Sequence, residues 1–172
     1  MKMESEGHTL WLMPKGQHYQ RFADLIKKLA KEYNGPIFEP HVTLLGNFPQ
    51  PEEETIRLTE QLAANQKPFF MTLEQISYED FHFRTLFVKA RITHELQSLH
   101  NKARQIFNMQ QIPPYMAHLS ILYGVYPNNL KEKIIAEISR DQTAEWEVNS
   151  VALVKGGLVE DWKIIGEFPF KP

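Results

Sequence analysis

Between Tyr19 and Tyr33 the apolar residues Phe22, Leu25, Ile26 and Leu29 recur at three- and four-residue steps, the spacing of one helical stripe, and Asn34-Gly35-Pro36 ends it. The same spacing returns in Ile56, Leu62 and Ala63, behind Pro49, Pro51 and the acidic turn Glu52-Glu53-Glu54. It returns again in Leu96, Leu99, Ala103, Ile106 and Phe107, ahead of Pro113-Pro114, and in Leu130, Ile134, Ile135 and Ile138. Four helices are predicted. The shorter apolar stretches between them predict strands: HTLWLMP at 8–14, HVTLL from His41, residues 69–78 and 81–91 as a hairpin turning at Glu79-Asp80, HLSIL from His118, and closing strands at 146–155 and 162–170 around a Gly156-Gly157 turn.

The order of elements repeats. His41 and His118 are 77 residues apart, and the same shift carries Leu29 to Ile106 and Phe69 to Trp146. After each histidine strand, GNFP followed by a helix parallels GVYP followed by a helix, with Tyr123 as one extra residue in the second copy. The expected fold is α+β: a two-lobed, pseudo-two-fold duplicated domain over residues 1–172. Each lobe would be a mostly antiparallel sheet backed by two helices, and the two sheets would face each other across a central cleft.

Charge narrows the partners. With 19 Lys+Arg against 21 Asp+Glu the formal charge is -2, so the chain has no overall basic field for long nucleic acid and suits a small substrate. No cysteine is present, which excludes disulfides and thiolate-bound zinc. The opening MKMESEGHTLWLMP carries charges where a secretory leader needs an apolar run, and no stretch has the ~18 apolar residues of a membrane span. A cytoplasmic, membrane-free and preferentially monomeric protein is expected.

The chemistry sits in the repeat. Along a strand, residues i and i+2 share a face, so His41 and Thr43 point one way and Val42 and Leu44 the other; His118 and Ser120 do the same against Leu119 and Ile121. The apolar members can face the helices, which leaves one imidazole and one hydroxyl per strand for the cleft. Two imidazoles on opposite sides of a reacting centre supply an acid and a base near neutral pH. Hydrolysis of a cyclic phosphodiester needs that pair: water loses a proton on one side while the departing ring oxygen gains one on the other. Two hydroxyls can donate to the non-bridging oxygens, where charge concentrates. No carboxylate cluster flanks either motif, so no metal or other cofactor is expected.

Paired H-x-[ST]-apolar motifs of this kind resemble the two-histidine phosphoesterase superfamily, and HLSILYG, with Tyr123, is similar to its cyclic phosphodiesterase branch. The resemblance runs along essentially the whole chain. It implies a bilobal fold with a central site and metal-independent opening of ADP-ribose 1″,2″-cyclic phosphate and of nucleoside 2′,3′-cyclic phosphates, the latter to 2′-phosphates. It also implies His118 as general base, His41 as general acid, and Thr43 and Ser120 as phosphate-binding hydroxyls. Other branches act on RNA ends, including 2′-5′ linkages; the weak charge here favours the small nucleotide.

Four further residues are candidates for lining the cleft: Trp11 on the first strand, Phe83 and Arg84 in FHFRTLF, and Tyr123. Each could meet a base or a phosphate, and each aromatic could equally be core. His8, His18, His82, His94 and His100 carry no motif and are read as structural. Gly156-Gly157 precedes no helix pattern and reads as a turn. Two rival readings are an inactive nucleotide- or RNA-binding module of the same fold, and a metalloprotein ligated by His41 and His118. Retention of both histidines and both hydroxyls opposes the first, and two histidines without carboxylate support make a poor metal site.

Overall fold

The computed structural model describes residues 3–172. In chain order it runs β1 (Glu4–Leu12), α1 (Gly16–Tyr33), β2 (Val42–Phe48), α2 (Glu52–Ala63), β3 (Phe69–Tyr78), β4 (Leu86–Ala90), α3 (His94–Ile106), β5 (His118–Leu122), α4 (Asn128–Ile138), β6 (Asp141–Val148), β7 (Ser150–Leu158) and β8 (Lys163–Pro169). The four helices fall where the apolar stripes predict them. Local chemistry sets their ends: Asn34 takes the left-handed conformation (φ 54°) that closes α1, and the Thr93 side chain accepts from Leu96 N–H to open α3.

The strands form one antiparallel sheet of eight, in the order β6-β3-β4-β5-β2-β1-β7-β8, where two facing sheets were expected. The reason lies at the seam. Two separate sheets would leave the β2 and β5 edges with unpaired backbone groups, and instead the two motif strands pair with each other at Val42 and Leu119. The half-sheets also exchange strands between the sequence repeats: β3, from the first repeat, lies beside β4, and β7, from the second, lies beside β1. Strand β7 is thus the counterpart of β3, and the 77-residue shift that lands Phe69 on Trp146 reaches β6, one strand too early.

Two more expectations are corrected. The strand predicted over 81–91 begins only at Leu86, because residues 79–85 form a loop closed by Glu79 N–H to the Arg84 carbonyl and Arg84 N–H to the Phe81 carbonyl. Gly156 and Gly157 lie inside β7, and the turn comes later, as the 3₁₀ segment Val159–Asp161. Gly156 is needed where β1 crowds it: a Cβ there would come within 2.7 Å of the Ser5 carbonyl oxygen.

All four helices cover one face of the sheet. Phe22, Ile26, Leu62, Leu99 and Ile134 join Leu10, Leu12, Val42, Leu44, Leu119 and Ile121 in one contiguous core. Trp11 points to the opposite face and packs with Ala152 and Val154 in a separate cluster. Each motif strand bulges at the same place: pairing slips from Trp11↔Thr43 to Leu10↔Leu45, leaving Leu44 as the extra residue, and from Phe87↔Ser120 to Leu86↔Leu122, leaving Ile121. A bulge re-aims the residues around it, and both follow the hydroxyl of a motif directly.

Candidate active site

The two imidazoles are anchored alike. His41 Nδ1 lies 2.6 Å from the Glu39 carbonyl oxygen and His118 Nδ1 lies 2.9 Å from that of Met116, in each case two residues back along the chain. A carbonyl can only accept, so both rings donate through Nδ1–H and keep a lone pair on Nε2, and both rings line the same cleft. Their supports differ. Trp11 lies face to face with His41, ring centres 3.7 Å apart at 9°, while Phe87, which occupies the corresponding register opposite Ser120, meets His118 edge-on at 5.1 Å and 63°.

Burial controls the proton affinity of both. It drives the His41 pKa down to about 4; the Glu39 carbonyl opposes that and the nearby His118 adds to it. His118 is also lowered, again chiefly by burial, with the Met116 carbonyl opposing, Arg84 lowering it further and Glu79 raising it. With no substrate bound, both are neutral at pH 7, and the coupling between them disfavours charging both together.

The cleft holds about 660 Å³ and brings together seven of the eight residues singled out from the sequence: His41, His118, Thr43, Trp11, Phe83, Arg84 and Tyr123. Ser120 is buried behind them, its hydroxyl donating to the Phe83 carbonyl at 3.0 Å. It therefore ties down the 79–85 loop, which Glu79 and Arg84 brace with an ion pair at 2.9 Å and Thr85 with a hydrogen bond to the Gly124 carbonyl. Tyr123 is nearly enclosed, stacked on Phe38 at 3.9 Å and edge-on to Phe83 at 5.3 Å, and burial pushes its hydroxyl far above the ordinary range.

Trp162 also lines the cleft, outside the residues singled out from the sequence. It stands edge-on to Trp11 at 5.6 Å and to His41 at 6.1 Å, and its Nε1–H donates to the Gly157 carbonyl at 3.1 Å. It precedes β8 at the far edge of the β2-β1-β7-β8 half-sheet, and only the strand exchange brings it to the histidine. His82 also lines the cleft. Among the described residues, no three His, Asp or Glu side chains converge as a metal site, and no helix is long and apolar enough to cross a membrane.

A family model described as the 2′-5′ RNA ligase superfamily matches residues 14–159. A cyclic phosphodiesterase of Arabidopsis thaliana is 25% identical over 179 residues, covering 99% of either chain. Among solved structures, a Thermus thermophilus protein, TT0787, superposes with a TM-score of 0.66 at 19% identity, covering 98% of each chain. Escherichia coli LigT complexed with 3′-AMP gives 0.61 at 14% identity, over 99% of this chain and 100% of that one. LigT has also been solved with NADP+ and with ATP.

Proposed function

The chain belongs to the 2′-5′ RNA ligase superfamily of two-histidine phosphoesterases, and from that premise we propose that it hydrolyses small cyclic phosphodiesters, ADP-ribose 1″,2″-cyclic phosphate and nucleoside 2′,3′-cyclic phosphates, the latter to 2′-phosphates. The observation that carries the reading is the pair of Nδ1-anchored imidazoles, each with Nε2 free, lining one cleft. The name of the Arabidopsis relative and the nucleotides held by LigT support a nucleotide cyclic phosphate as the occupant.

In the proposed reaction, His118 Nε2 takes a proton from water, whose oxygen attacks phosphorus opposite the 3′ oxygen. The P–O3′ bond breaks, and His41, protonated, passes its Nε2 proton to the departing oxygen. The 2′-phosphate leaves, His118 has gained the proton that His41 lost, and exchange with solvent resets both. Burial holds His41 neutral in the empty site, and the negative phosphodiester offsets that burial, so the substrate brings the acid into its working state. Thr43 donates to one non-bridging oxygen. Ser120 donates to the other by giving up its bond to the Phe83 carbonyl, so that substrate binding loosens the aromatic loop above it. Phe83 supplies flat apolar surface for the base, Trp11 and Tyr123 form the buried walls behind it, and Arg84 supplies positive charge near the phosphate.

The test is product analysis. Run to completion in EDTA, 2′,3′-cyclic AMP should yield the 2′-phosphate, and ADP-ribose 1″,2″-cyclic phosphate should open under the same conditions. Predominant 3′-phosphate reverses the assigned orientation, and a metal requirement overturns the mechanism.

A further inference from the structure

His100 plays no part in the reaction above. It lies on α3, 3% exposed, with Nε2 buried and unpartnered among the described residues. A buried polar atom without a partner costs stability, which an apolar side chain would avoid. The ring is there for its other nitrogen.

His100 Nδ1 lies 2.8 Å from the carbonyl oxygen of Leu44 and donates to it. Leu44 is the extra residue of the first bulge, with no partner on β1, so its carbonyl falls where the ladder is interrupted. Tyr115 completes the hold. Its ring is stacked on His100 at 3.9 Å and 5°, and its hydroxyl donates to the Thr43 carbonyl at 2.9 Å. One stacked pair thus grips two successive carbonyls of the first motif from the core side of the sheet. The repeat offers nothing equivalent for the second motif, since the position 77 residues before His100 is Ala23, which has no side-chain donor.

We propose that His100 is a positioning residue for hydrolysis: by pinning the Leu44 carbonyl, with Tyr115 on Thr43, it sets the bulge that aims the Thr43 hydroxyl into the cleft. This rests on the reading of Thr43 as a phosphate donor. A group misplaced by ~1 Å can cost up to about 10²-fold in rate, and a bulge is the local device that sets such an aim.

The test is a double-mutant cycle on 2′,3′-cyclic AMP hydrolysis. His100→Phe keeps a ring against Tyr115 and removes the donor, and it should lower kcat at least about tenfold; with Thr43→Ala already present the same change should cost less than about twofold, while with Ser120→Ala it should keep its full effect. His100→Asn, whose Nδ2 takes the place of Nδ1, should recover most of the rate. Equal losses in the two backgrounds, or an Asn variant no better than Phe, overturn the proposal. If Phe impairs folding, as a thermal melt would reveal, His100→Leu replaces it in the cycle. If Thr43→Ala alone keeps the wild-type rate, the phosphate role of Thr43 fails and His100 is judged on structure. The backbone amide resonances of Thr43 to Leu45 must then move in His100→Phe and return in His100→Asn, and resonances that stay put overturn the clamp.

Discussion

The motif at His41 and the motif at His118 share sequence, anchoring and bulge, and they differ in nearly everything around them. His41 is sealed beneath the face of Trp11 and beside Trp162, and its hydroxyl partner Thr43 opens on the cleft. His118 meets only the edge of Phe87, feels the opposed charges of Arg84 and Glu79, and has its partner Ser120 engaged with a loop. Under the proposed reaction, duplication supplies two like imidazoles, whereas ring opening would need two unlike proton carriers, a base on the water side and an acid on the leaving side. Divergence of the surroundings provides the second requirement without altering the first.

The largest effects should come from breaking the pair. His41→Ala and His118→Ala should each lower kcat by about 10²–10⁴, and the double variant should lose little more, because the groups act as a unit. Steady-state kinetics on 2′,3′-cyclic AMP reads this directly. Near wild-type turnover in either single variant would sink the paired assignment.

A substrate change sharpens the comparison into roles. Bis(4-nitrophenyl) phosphate releases a phenolate that needs no proton, so the loss in the acid variant should shrink while the loss in the base variant persists. With His41 as acid, His41→Ala should regain at least about tenfold relative to His118→Ala on the aryl ester. The opposite pattern would exchange the two roles.

The hydroxyls should separate next. Thr43→Ala removes a donor already facing the cleft and should lower kcat by on the order of 10²-fold with little change in KM. Ser120→Ala removes a donor and also unties the Phe83 loop, so its loss should appear in KM as well as kcat. Matching kcat and KM changes in the two variants would mean that the loop contact has no bearing on substrate binding.

Much of this asymmetry was out of reach from the sequence, although the skeleton was not. The four helices were legible because each buries one 3.6-residue stripe in the same core, and the motif side chains were legible because a strand sends alternate residues to opposite faces. Which edges pair is decided at long range, so the single sheet and the exchange of β3 and β7 left no local trace. FHFRTLF has the composition of a strand, and turn hydrogen bonds with the Ser120 and Thr85 anchors make most of it a loop. Trp162 reaches the cleft only through the strand exchange. His100 carries no motif because its hydrogen-bond partner is a carbonyl 56 residues away.

The last comparison concerns stability, and it sets the histidines side by side in the absence of substrate. Unfolded, an imidazole titrates near ~6.5; folded, His41 titrates at about 4, so between those values the unfolded chain binds the extra proton. Its contribution to stability is therefore present above pH ~6.5, is lost as the pH falls toward 4, and changes no further below that. From pH 7.5 to 5 the loss attributable to His41 is about 2 kcal/mol, some 30-fold in the unfolding constant. His118 and His100 are lowered as well and add in the same direction. Urea denaturation at pH 7.5 and pH 5 should show this loss in the wild type. His41→Gln should flatten the difference by roughly that amount, and His118→Gln, at the less enclosed of the two sites, should flatten it less. If His118→Gln flattens it as much, the two imidazoles are equally desolvated, and the inequality between the motifs rests on their hydroxyls alone.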